Sequence, residues 1–188
     1  MSPLARVLLI GCVLVPTWAL AQVPKCPNVL VVFDVSGSMQ DYAEDAQGNG
    51  SQRWVVGRDA VKQLVAGASG QIRYGLELFG DVTMGGNTPG CNISPANCSF
   101  PAAQCNSVPC DYTSVPTINA VLNTLSDATV AGATPTGPAI TTAADRADMN
   151  DTTRARYIIL VTDGDPFSCT NDAPLDNAIN ALNSIRTQ

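Results

Sequence analysis

Asp34-Val35-Ser36-Gly37-Ser38-Met39 offers a carboxylate and two hydroxyls at alternate positions, in a turn that Gly37 can tighten, so that their oxygens can converge on one point. Far along the chain Asp163-Gly164 offers a second carboxylate, and Gly132-Ala133-Thr134-Pro135-Thr136-Gly137 presents hydroxyls at the opening of a helix. Hard oxygen donors without imidazole or thiolate suit Mg²⁺ best, with Mn²⁺ or Ca²⁺ also fitting, and they leave room for water or an incoming ligand. Each piece alone has a plainer reading. Ser36 and Ser38 could cap a strand-to-helix turn, Thr134 could cap the helix that follows, and Asp163-Gly164 is an ordinary turn signal. Taken together they favour a metal site. An EF-hand loop starting at Asp34 fails, because Met39 stands where it needs glycine and Asp45 where it needs glutamate.

Composition narrows the chemistry. Histidine is absent from the 188 residues, which removes Ser-His-Asp and Cys-His catalysis and most catalytic zinc sites. The net charge of −6, with no basic cluster, makes nucleic acid and anionic membranes poor partners. Met1 to Ala21 carries one cation at Arg6, an apolar run from Val7 to Val15, and the small-residue triplet Ala19-Leu20-Ala21. This is the layout of a secretory signal peptide cut after Ala21, with lipid attachment at Cys12 as the lesser alternative. The apolar run is well short of the roughly 20 residues that span a bilayer. Export implies an oxidising compartment, where Cys26, Cys91, Cys98, Cys105, Cys110 and Cys169 are expected to form disulfides. The close set Cys91, Cys98, Cys105 and Cys110 is expected to pair within itself. Its spacings lack the C-x2-C pair of a zinc knot.

The elements that must position the oxygens can be read from periodicity. Asn28 to Phe33 and Tyr157 to Thr162 are short, continuously apolar, β-branched runs, as in strands buried on both faces of a parallel sheet, and each ends at an aspartate. Ile72 to Phe79 alternates, with Arg73, Gly75 and Glu77 on the wetter face, and is expected nearer a sheet edge. Helical spacing marks Trp54 to Ala66, Val115 to Leu125, Ile140 to Ala147 and Leu175 to Ile185. From about residue 80 to 113 the texture is Gly, Pro, Asn, Ser and cysteine without periodicity, which reads as a disulfide-stapled loop insertion. The order predicts one α/β domain over residues 22–188, with a doubly wound, mostly parallel sheet flanked by helices. Ligands of such sheets bind beyond the carboxyl ends of the strands, where the strand order reverses.

Asp-x-Ser-x-Ser after the first strand, a Gly-x-Thr loop, and a strand ending in Thr-Asp-Gly together resemble the metal-ion-dependent adhesion site of von Willebrand factor type A domains. The resemblance implies that Ser36, Ser38 and Thr134 donate hydroxyl oxygens, while Asp34 and Asp163 act directly or through water. Thr136 lies close enough to Thr134 to compete for its place. It further implies an exported binding module, not an enzyme, whose divalent cation takes a carboxylate from a protein partner in adhesion or surface assembly. A metal-assisted hydrolase would need a positioned general base, which this sequence lacks. A structural domain holding a metal without a partner is the other alternative. The family's pattern also implies a further strand and helix after residue 188, so the domain is expected to be incomplete as given.

Overall fold

The computed structural model describes residues 25–44, 48–80, 107–164 and 174–186. The leader, most of the cysteine-rich stretch and Cys169 lie outside the described residues, and with them the expected signal peptide and the disulfides expected of Cys91, Cys98, Cys105 and Cys169.

Strand β1 (Asn28–Asp34) is buried at every position, as its uninterrupted apolar run predicts. It lies in a four-stranded sheet with β4 (Arg73–Phe79) on one side and β6 (Arg156–Val161) on the other, both parallel to it. Strand β5 (Val108–Asp111) completes the order β5-β4-β1-β6 and runs antiparallel to β4. A parallel neighbour cannot be reached by a tight turn, so the chain must cross over a face between strands, and it uses both faces. Val29, Val31 and Phe33 pack against helix α1 (Arg53–Gly67) and helix α2 (Ser114–Leu122), through Trp54, Val61, Val65, Ile118, Val121 and Leu122. Leu30 and Val32 point the other way, to Ala139 and Ala143 of helix α3 (Thr136–Asp145) and to Met149. Helix α4 (Pro174–Arg186) lies beside α3. The protein is therefore a mixed α/β domain with a mostly parallel central sheet flanked by helices. A small hairpin of β2 (Tyr42–Glu44) and β3 (Gly50–Gln52) joins β1 to α1.

Three expectations need correction. Strand β4 is interior, because Val108–Asp111, inside the stretch read as an insertion without periodicity, adds a strand outside it. Glu77, on the face expected to be wetter, is accordingly buried. Strand β6, expected to be buried on both faces, is only half-buried, and Tyr157 is exposed, since β6 ends the described sheet.

What holds β5 in place is a buried charge network. Arg146 donates to both carboxylate oxygens of Asp148 at 3.0 Å, to Glu77 Oε2 at 3.3 Å and to the Val108 carbonyl at 3.0 Å. Asp148 Oδ2 accepts the Cys110 N–H at 2.6 Å, and Arg73 donates to the Cys110 carbonyl at 2.8 Å. Burial alone would raise the Asp148 pKa, but the Arg146 hydrogen bonds, the Cys110 amide and the Arg146 charge outweigh it and hold it at about 2. Burial raises Glu77 and Arg146 lowers it, with burial prevailing. Cys110 is a free thiol, buried and pushed up to about 12 mainly by that burial, then by Asp148. Its expected disulfide partners fall outside the described residues.

Two tests follow. Asp148 has its folded pKa below the unfolded value, so its stabilisation is present above about pH 4 and is lost as the pH falls toward 2, amounting to about 2 kcal/mol. Glu77, raised by burial, works in the opposite sense. Asp148→Asn should therefore remove the wild-type excess loss of stability between pH 4 and 2, measured by urea unfolding at each pH. A Cβ on Gly75 would stand 2.8 Å from Cys110 Sγ and 2.9 Å from the Val108 carbonyl, and a strand backbone cannot easily give way. Gly75→Ala should cost about 1–3 kcal/mol, read as a fall in the thermal midpoint.

Candidate metal centre

The alternate-oxygen turn leaves β1 at its carboxyl end. Asp34 is fully buried and its Oδ1 accepts the Ser36 N–H at 2.7 Å, which bends the chain back over the strand end. Val35 is tied on both sides: its N–H donates to the Phe79 carbonyl of β4, and its carbonyl accepts the Ala131 N–H, each at 2.8 Å. The Gly37 N–H then donates to the Gly132 carbonyl at 2.9 Å. Gly132 adopts φ 89°, a conformation that favours glycine, and the bond brings the Gly132–Thr134 loop against the Asp34–Ser38 turn. Gln40 adds a third tie through its amide, donating to the Asp127 carbonyl at 2.9 Å and also to the Val130 carbonyl.

Ser36 precedes the short 3₁₀ turn Gly37–Gln40 but makes no side-chain cap to it; its Oγ lies 3.2 Å from Ser38 Oγ. Ser38 Oγ donates to Asp163 Oδ1 at 2.9 Å. A chain of side-chain oxygens therefore runs from Ser36 through Ser38 to Asp163, across the ends of the neighbouring parallel strands β1 and β6. Thr134 is buried and does not cap α3, because Pro135 takes the capping position and the helix starts at Thr136. Thr136 is also buried, with its N–H bonded to the Thr134 carbonyl at 2.8 Å and its hydroxyl 3.4 Å from the same atom, so it is partly committed to its own helix start. The loop ties carry Thr134 toward the turn; no hydrogen bond joins its side chain to the four other residues among the described contacts.

Electrostatically, Asp34 is the unusual group. Its Oδ2 accepts the Thr162 hydroxyl at 2.6 Å, so both its oxygens are satisfied by neutral donors. Among the described residues no cation pairs with it. Burial raises its pKa, the Thr162 and Ser36 hydrogen bonds lower it in part, and the nearby negative charge of Asp163 raises it again. Such an uncompensated buried carboxylate is costly, and a second carboxylate close by makes it more so. Among the described residues no group of three or more His, Cys, Asp and Glu comes together, so any ion held here would rest on two carboxylates plus hydroxyls and water. That donor set fits a small hard dication and no softer metal.

Two participants escaped the sequence reading. Thr162 lies next to Asp163 in the same strand-end motif and could have been suspected from that position. Arg53 could not: its Nη1 donates to Asp163 Oδ2 at 2.6 Å and lies 3.7 Å from Asp41 Oδ2, linking positions 110 apart in sequence. Asp41 and Glu44 are exposed.

No protein-family model matches the chain, and no curated protein matches it in sequence. Among solved structures, the pilus adhesin SpaC from Lactobacillus rhamnosus GG is similar at 21% identity and TM-score 0.52, over 77% of this chain and 16% of that one. Proximal thread matrix protein 1 from the mussel byssus is similar at 16% identity and TM-score 0.53, over 87% of this chain and 36% of that one. This chain thus corresponds to a minor part of each neighbour, and at these identities the likeness is one of fold: an α/β domain with a mostly parallel sheet.

Proposed function

We propose that the chain is an exported binding module of the von Willebrand factor type A kind, in which Asp34, Ser36, Ser38, Thr134 and Asp163 hold a divalent cation, best Mg²⁺, that captures a carboxylate of a protein partner. The observation that carries this reading is Asp34: a buried carboxylate without a cation, facing Asp163 through two serine hydroxyls at the switch point of the sheet. A bound dication would supply an electrophilic position open to an outside oxygen. The chain's own residues set how open it is. Hydroxyls carry no charge, so the site offers few anionic ligands and leaves the ion short of them. Asp34 and Ser36, fixed by the Val35 and Gly37 backbone bonds, form the inner wall, while the half-buried Ser38 and Asp163, whose side chain is largely covered, form the outer one. Adhesion is also the role named for one neighbour of similar fold, the pilus adhesin.

Calorimetric titration with Mg²⁺ or Mn²⁺ is the direct test. Asp34→Ala and Asp163→Ala should each weaken uptake by about a hundredfold or more, with the fold retained by circular dichroism; unchanged uptake in both would refute the site. Retention of the wild-type chain on an immobilised glutamate-rich peptide should require the dication and end on adding chelator. A further expectation separates a ligand from a structural acid. In chelator, Asp34→Asn keeps an acceptor for the Ser36 N–H and gives Thr162 a donor, while removing the buried charge. Its unfolding free energy should therefore equal the wild type's or exceed it by about 1–2 kcal/mol. A large loss instead would mark Asp34 as a structural residue.

A further inference from the structure

We infer that Arg53 is a built-in counter-cation of the site, one that keeps its affinity for a divalent ion low until an acidic ligand arrives; this rests on the metal-binding reading above. Its guanidinium holds the outer oxygen of Asp163 at 2.6 Å, while the inner oxygen faces Ser38. Asp163 itself is nearly buried, with 8% of its side chain exposed, whereas Arg53 is 37% exposed and reaches the site from the first residue of α1. The Arg53 N–H bonds the Asp41 carbonyl at 2.9 Å, so the start of the helix is fixed to the turn that carries Ser36 and Ser38. The positive charge is thus placed by backbone as well as by side chain.

The consequence is electrostatic. Asp34 and Asp163 bring two negative charges to the oxygen cluster and Arg53 returns one positive charge, so a dication meets a site at only partial neutralisation. Asp41, the other carboxylate near Arg53, is 69% exposed at 3.7 Å and is screened by water. An acidic ligand restores the missing negative charge, and it can be met by the guanidinium and the ion together. Ion and acidic ligand then each raise the other's affinity by the same factor, as linkage requires. Arg53 acts here as a positioning and charge-setting residue.

The test is Mn²⁺ titration of the full chain by calorimetry, with the fold of each variant checked by thermal unfolding. Replacing a unit charge beside a dication by a neutral group changes affinity by on the order of tenfold even with water-like screening. Arg53→Met should therefore bind Mn²⁺ about tenfold more tightly than wild type, and Arg53→Lys, which keeps the charge, should bind as wild type does; Arg53→Gln repeats the test if methionine does not fold. Adding the glutamate-rich peptide should tighten Mn²⁺ binding more in wild type than in the neutral variant. A folded neutral variant that binds Mn²⁺ equally or less tightly overturns the inference and leaves the site reading intact. Asp34→Ala binding Mn²⁺ as wild type does, or neither wild type nor Arg53→Met binding at all, overturns the site reading itself.

Discussion

A carboxylate at the end of a fully buried strand has no water to share its charge with, and Asp34 is such a group. To be buried so completely β1 must be central, with helices on both faces and strands on both sides. To have parallel strands on both sides, the chain must cross over one face to reach β4 and the other to reach β6. That double crossing brings the end of β6, with Thr162 and Asp163, beside the end of β1. The burial that makes Asp34 costly is thus the same feature that delivers its second carboxylate and its hydroxyl partners.

The molecule handles buried charge in two opposite ways. Beside β5, one arginine, Arg146, pairs with both Glu77 and Asp148, and the hydrogen bonds of this group fasten β5 to β4. At the carboxyl end of the sheet, Asp34 is hydrogen-bonded but unmatched in charge. An ion-paired network stabilises the arrangement that already exists, whereas a buried charge without a paired cation costs stability until a cation comes to it. The same sheet therefore carries one buried acidic group set against an arginine and one buried aspartate with no paired cation among the described residues.

Much of this was legible in the sequence because it is local. Val29 to Phe33 and Tyr157 to Val161 declare themselves as strands by unbroken apolar runs, and the aspartates that follow them mark where the oxygens lie. Asp34, Ser36 and Ser38 could be grouped because one turn holds them; Asp163 could be added because two parallel strands end together. Strand β5 was not legible: Val108-Pro109-Cys110-Asp111 contains a proline and is only four residues long, too short for its alternation to stand out, and it is held by Arg146 and Asp148 from 38 positions away. The β2–β3 hairpin is polar and exposed, so no burial pattern announces it. Glu77 looked like a solvent-facing residue because its partner Arg146 is 69 positions distant.

The Cys-rich stretch leaves the sheet at Gly80 and returns at Val108, on neighbouring antiparallel strands that are separately secured. Closing a loop costs only the logarithm of its length, so loop length by itself places little demand on the two anchoring strands. The departure point is not neutral, however: a Cβ on Gly80 would stand 3.1 Å from the Val35 carbonyl carbon and 3.2 Å from the Ser36 nitrogen, against the turn that carries the oxygens. The exit from β4 thus acts as a stop for that turn: a side chain added at position 80 would press on the Val35–Ser36 peptide and shift the Ser36 hydroxyl, although residue 80 contributes no side-chain oxygen of its own.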